Sequence, residues 1–427
     1  MAANPKTKQA ASLLEHYPTP KSGKWAMVAR EDAVARFSSM GAPIKKDEYW
    51  KYTDPKALTD TAPQAAVFKN DEAPMFDAVD RLKIYFNDGV LDAEASDALT
   101  LDGIEIETLE AASQKDIHWV KELYGVLEEK GQSPVPRPLA ALNTAKASEG
   151  LVIHVKKSPS KPIWLKYAHN QENSDALVHH VIKLDPGVEF TILESGAGAA
   201  RFNSVMEFDV ADGATLHHIR TQGRDHERKT ATHLFGRLAQ ESVFRSFTMT
   251  VNGILTRNEA VLEFTGDDAS ATVAGASAGD GSNFHHDDTV FVTHDAVNCE
   301  SRQVFKKVLR NGATGVFQGK ILVQPDAQKT DGYQISQGLL LDEDSQFLAK
   351  PELEIYADDV ACSHGSTCGA IDEEAMFYLK SRGVPKKEAQ DMLVLAFLAE
   401  AIEEVENDVL ADEIRDRLAA WMARHSG

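Results

Sequence analysis

The hydrophobic positions of this chain change rhythm twice. Between Trp25 and Phe37 apolar residues recur at the spacing of an amphipathic helix, and Gly41-Ala42-Pro43 supplies the stop, so the first ~60 residues read as helical. From Phe76 to about Lys146 the pattern is mixed. A strand over Leu82 to Phe86 runs into the turn Asn87-Asp88-Gly89, and a helix around His118 to Glu129 ends at Gly131. At Leu151 helical spacing gives way to short β-branched runs: Leu151 to Val155, Pro162 to Leu165, Val178 to Leu184.

These runs repeat. Turn-like marks fall at Asp185-Pro186-Gly187, Asp212-Gly213, Gln240-Glu241, Asp267-Asp268 and Asp295, a step of 27 or 28 residues each time, and an apolar run resumes after each. A period of that size indicates a solenoid whose coils bury their inner faces against one another, and short β-branched strands make it a parallel β-helix. A β-sandwich also shows turns at strand spacing, but it does not require the period. After Gly369 helical spacing returns. Asp372 is placed to cap a helix that Gly383 ends, and Pro385 opens the next. Met392 to Ala399 are eight consecutive apolar residues. Such a run either meets another protein or packs wholly on the following helix, Val409 to Ala423. The expected architecture is therefore mainly β with helical ends: 1–150 helical and mixed, 151–369 β-helix, 370–427 helical.

Composition narrows the function. The 427 residues suffice for two to three domains, and 43% hydrophobic with 26% charged residues describes an ordinary globular chain. A formal charge of −21 disfavours nucleic acid or an anionic membrane as the main partner, since both need a basic face. With no apolar leader, no run long enough to span a bilayer and only three cysteines, the expected compartment is the cytoplasm.

Candidate chemistry is sparse. In Cys362-Ser363-His364-Gly365-Ser366-Thr367-Cys368-Gly369, an extended approach would turn Cys362 and His364 to the same side, where thiolate and imidazole suit zinc or an iron–sulfur centre. The alternative is a free cysteine in a polar turn. Gly312 to Lys320 fails as a phosphate loop, because Thr314 stands where glycine is needed and a strand follows Lys320; its glycines are expected at tight corners. The pairs His179-His180, His217-His218 and His285-His286 cannot chelate one ion while extended, so each should place one residue inward and one in solvent. Tyr49 to Pro55 reads as a packing anchor. No catalytic residue stands out, although a β-helix carbohydrate-active lyase or hydrolase would share this architecture.

Longer motifs are more specific. Glu48-Tyr-Trp-Lys-Tyr-Thr53, Ala140-Ala-Leu-Asn143 with Gly150-Leu-Val-Ile-His154, Val316-Phe-Gln-Gly-Lys-Ile321, Asp326-Ala-Gln-Lys-Thr-Asp-Gly-Tyr-Gln334, Lys350 to Val360, Cys362-Ser-His-Gly-Ser-Thr367 and Ile371 to Gly383 follow one another in order. Together they closely resemble the SufB/SufD family of the SUF iron–sulfur cluster assembly system, its SufD branch in particular. The resemblance implies a right-handed parallel β-helix serving as a non-catalytic scaffold, paired with SufB and carrying the ATPase SufC on its C-terminal helices. It implies that His364, with Cys362 beside it, helps hold a transient cluster shared with SufB. It implies a SufC-facing surface that includes Asp372, Phe377, Met392, Leu393, Ala396 and Phe397. Association of a reduced flavin with the complex, and a homodimer of this chain, stay open. The sequence departs from the family at Cys368, where an aliphatic residue is usual, and in the segment Asp331 to Gln337, where Gly332 replaces a common alanine and Ser336-Gln337 a common asparagine with a basic or polar residue.

Overall fold

The computed structural model describes residues 4–61, 65–68, 74–223 and 227–425. Met1–Ala3, at the head of the segment read as lacking a leader, lie outside the described residues. Two ten-stranded sheets face each other, and from the strand Ile163–Ala168 onward consecutive strands alternate between them in parallel register. This is the expected parallel β-solenoid with helices at both ends.

The turn-like marks become stacked corners. Gly187, Gly213, Glu241, Asp268, Asn298 and Lys329 all have positive φ, and each backbone N–H donates to a corner carbonyl of the next coil, Gly213 to Gln240 at 2.8 Å and Glu241 to Asp267 at 2.8 Å. A left-handed residue reverses the chain sharply, and the stacked bond offsets its strain. The coils then lengthen: Ser270 pairs with Glu300, 30 residues on, and Glu300 with Asp331, 31 on. That is why the mark read at Asp295 falls three residues short of the actual corner residue, Asn298, and the short step fades beyond it. Corners do not account for every glycine of the 312–320 segment. Gly312 (φ 83°) is at a corner, but Gly315 and Gly319 lie inside the strand Thr314–Val323. A Cβ at Gly319 would lie 2.0 Å from Gln334 Nε2, so the glycine there makes room across the lumen.

Phe190, Ile192, Phe208, Leu216, Phe244, Phe264 and Phe317 fill the lumen, beside a buried polar row. In that row Tyr167 donates to Glu194 at 2.9 Å, and His218 and Arg220 meet the other carboxylate oxygen at 2.6 and 2.8 Å. Burial works to raise the Glu194 pKa, but the Arg220 guanidinium and His218 hold it well below the usual range.

Helix Pro138–Lys146 lies on the outer face of the second sheet, and helix Lys24–Met40 packs over that helix. Trp50 stacks beneath Arg257 at 4.2 Å, and Arg257 donates to Tyr49 O at 2.9 Å, so the aromatic segment is indeed an anchor. Glu259 accepts from Arg257 at 2.7 Å and Arg137 at 2.9 Å; burial opposes ionisation, yet the two guanidiniums lower its pKa to about 2. This cover corrects two expectations. His179 and His180 are both buried, His180 on Tyr167 inside and His179 on Glu207 outside, because helices replace solvent over that face. The helix expected over His118 to Glu129 is split into Trp119–Glu122 and Val126–Lys130 by Gly125 (φ 75°), and Glu207 accepts from the Gly125 and Glu128 N–H groups at 2.6 and 2.8 Å. A remote carboxylate thus caps the second piece.

Burial pushes His180 and His233 down to about 4 and His294 to about 3. The unfolded chain binds protons at these histidines as pH falls through about 6.5, while the folded chain does not until about 4 or below. Their contribution to stability is therefore complete above that upper value and is lost as pH falls. At pH 5 the expected loss is roughly 2 kcal/mol per histidine. Urea midpoints compared at pH 7.5 and pH 5 should show a clear drop on acidification, and coincident midpoints would refute this account.

Candidate functional site

The segment carrying Cys362 and His364 is not a turn. Val360–Gly369 is a ten-residue strand, the last of the first sheet, paired in parallel with Thr330–Leu340. Its neighbours set its facing. Gly332, Gln334 and Ser336 are buried on the inward side of the preceding strand, and in register with them are Cys362, His364 and Ser366. Cys368 follows on the same side, opposite Gly338. Side chains alternate, so all four share the inward face. Cys362 and His364 are roughly 7 Å apart along the strand, whereas Cys368 is roughly 13 Å beyond His364, too far to share one ion with it.

Among the described residues no further coil covers this face. Gln346–Ile355, the last strand of the second sheet, pairs on one side only, as does Val360–Gly369. Phe347, Pro351 and Leu353, whose counterparts one coil back are buried, are here half-exposed. The opposite end differs. There the sheets finish in antiparallel strands of three and two residues, Val90–Asp92 and Thr100–Leu101. Short antiparallel strands blunt an edge, but two parallel ten-residue edges offer a template for another chain.

Within this open rim Cys362 is tucked down. A Cβ at Gly332 would come 3.1 Å from its Sγ and 3.3 Å from Ile321 Cδ1, so the glycine lets the thiol fold toward the lumen. Burial raises the pKa of both Cys362 and Cys368, so neither thiol is activated by its surroundings in the chain alone. His364 is exposed and makes no hydrogen bond among the described residues. Ser336 and Ser366 bond at 2.7 Å and tie the edge strand down beside it. Among the described residues no three of His, Cys, Asp and Glu gather as a metal site. The rim thus supplies at most a thiol and an imidazole, a partial ligand set.

The C-terminal helices form a second surface. Asp372 caps helix Glu373–Ser381, accepting from Glu374 and Ala375 N–H at 2.8 and 3.1 Å. That helix buries none of its side chains, leaving Phe377 73% and Tyr378 57% exposed. The apolar run does not pack wholly on the following helix. In helix Lys386–Ile402, Val394 and Leu398 pack on the first sheet, joining a core with Ala274, Ala276, Val304 and Val308 as well as Ile414 and Trp421 of helix Asp408–His425. Met392 and Ala396 face outward; Leu393 is half-buried, and Phe397 lies under Lys306 at 4.6 Å. The solenoid itself covers one side of the run, at Val394 and Leu398.

Sequence reading missed Gln334 and Gly332 as parts of the rim. The 30-residue step from Gln334 to His364 would have placed them, had the lengthened coils been recognised.

Comparison with known proteins agrees with this architecture. Residues 167–397 match the SufBD core domain of SUF-system FeS cluster assembly, and residues 19–161 the SufBD N-terminal region. The chain is 27% identical to the iron-sulfur cluster assembly protein SufD of Escherichia coli, over 98% of both chains. It is 26% identical to a SufBD family protein of Synechocystis, over 88% of this chain and 86% of that one. The chloroplastic protein ABCI7 of Arabidopsis thaliana is 23% identical over 97% of this chain and 90% of its own. The solenoid, its helical ends and a core match spanning more than half its length make this chain a member of the SufBD family of SUF iron–sulfur cluster assembly proteins, of the SufD type.

Proposed function

We propose that the chain is a non-catalytic scaffold on whose open end a homologous SufB subunit docks, with the nascent cluster held as cargo at the seam. The observation that carries this reading is the uncovered terminal coil, which presents His364 and Cys362 beside two unpaired parallel edges. The partial ligand set fits such a seam, because thiolates from the second subunit would complete it. The apolar rim of Phe347, Pro351 and Leu353 would be covered by the partner's own coil.

In this reading three regions have separate tasks. Residues 1–150 brace the solenoid and close one end of its sheets with short strands, 151–369 form its coils, and 370–427 carry SufC through the exposed face of helix Glu373–Ser381 and the outward side of helix Lys386–Ile402. ATP hydrolysis belongs to SufC, whose turnover would reshape the seam. The compartment is the cytoplasm; no described helix is long and apolar enough to cross a membrane. A homodimer would use the same open end and compete with SufB. Reduced flavin, if it joins the complex, would supply electrons rather than a ligand. Family membership leaves the carbohydrate-active alternative without support.

Anaerobic co-expression with the two companion subunits tests the proposal. All three should co-purify, with iron and sulfide in the complex and neither in this chain alone. Equal iron and sulfide in the chain purified by itself would overturn it.

A further inference from the structure

Next to His364 on the adjoining strand lies a buried amide whose oxygen has no partner. Gln334 is in register with His364 and on the same inward face, and it is fully buried. Its Nε2 donates to Gln303 Oε1 at 2.9 Å, which fixes the plane of the amide, while its Oε1 has no partner. A buried carbonyl oxygen without a donor costs about 1–3 kcal/mol, so such an atom calls for an explanation. The seat is made for this side chain. Gly319, across the lumen, leaves the room that any other residue would take, since a Cβ there would fall 2.0 Å from Gln334 Nε2 and 2.6 Å from its Cδ.

The one imidazole in the adjoining rung on that face is His364, which makes no bond among the described residues. Neighbouring strands lie about 4.8 Å apart, so paired side chains on one face are within reach of each other. We infer that Gln334 is the positioning residue for His364. Its Oε1 accepts one ring N–H, selects that tautomer, and leaves the other nitrogen bare and aimed out of the open end. Gln303 supports the arrangement by holding the amide from below. Ligating histidines are commonly oriented this way, through a hydrogen bond from the nitrogen that does not bind. The inference rests on the reading of His364 as a cluster ligand, but the orientation can be measured without any cluster.

The test uses the full chain with histidine-selective 15N labelling at roughly pH 8, above the usual imidazole range. The His364 ring signals are identified by their loss in His364→Ala. In the unmodified chain the two ring nitrogens should be widely separated, one protonated and one bare. Gln334→Glu keeps an acceptor and should keep that separation, whereas Gln334→Met should narrow it toward the averaged values of a free imidazole. If Gln334→Met does not fold, Gln303→Met, which frees the amide to turn, should give the same narrowing. Identical ring shifts in the parent and in the Met variant would overturn the inference. Iron content of the co-expressed complex separates the two claims. Narrowed shifts with roughly 10-fold less retained iron support both, and narrowed shifts with unchanged iron support the positioning role while removing His364 from the cluster site.

Discussion

Replacing His364 by alanine should leave the subunits assembled and lower the iron and sulfide of the anaerobically purified complex by on the order of 10-fold or more. Assembly should survive because His364 is exposed, so its loss empties no cavity in the folded chain. The ladder around it is held by backbone pairing and by the Ser336–Ser366 bond. Cluster retention should fall because the rim offers only two donors at this place, and the second, Cys362, is folded toward Gly332 with its thiol pKa raised by burial. Cys362→Ser should therefore have the smaller effect. Full iron and sulfide in the His364→Ala complex would take that imidazole out of the mechanism, and loss of the complex itself would reassign it to subunit contact.

Phe377→Asp combined with Met392→Asp should abolish recovery of the ATPase while leaving the solenoid folded. Each side chain is outward, 73% and 47% exposed, so neither supports the core. A large apolar anchor at the centre of an interface typically contributes about 2 kcal/mol or more, a roughly 30-fold change in Kd, and burying a carboxylate there adds to the loss. Deleting everything from Asp372 would be a poorer test. The helices Lys386–Ile402 and Asp408–His425 cover Ala274, Ala276, Val304 and Val308, and their removal would expose that core. Undiminished ATPase recovery by the double variant, with an unchanged unfolding midpoint, would move the contact to another surface.

The legibility of the chain follows the range of the interactions involved. Stacked corners could be read because each coil reverses at its own left-handed residue, and Gly187, Gly213, Glu241 and Asp268 recur in phase with the apolar runs. Asp372 could be read as a cap because its two acceptor bonds reach only two and three residues ahead. The strand Leu82–Asn87 and the stop at Gly41 (φ 72°) are equally local. Longer coils after Asp268 hid the register that pairs Gln334 with His364, since a step of 30 or 31 no longer matches the earlier one.

Sequence alone thus determined the solenoid, its helical ends and the pairing of one thiol with one imidazole on a common face, because periodicity and backbone conformation are written in consecutive residues. Tertiary structure decided which faces see water. His179 is buried only because Glu207 and the N-terminal helices lie over it, the helix near Gly125 is broken where that same carboxylate caps it, and Val394 is covered by a sheet far earlier in the chain. It also decided that the last coil is left open, a property no local run of residues can encode, because exposure there depends on the absence of a neighbour rather than on the strand itself.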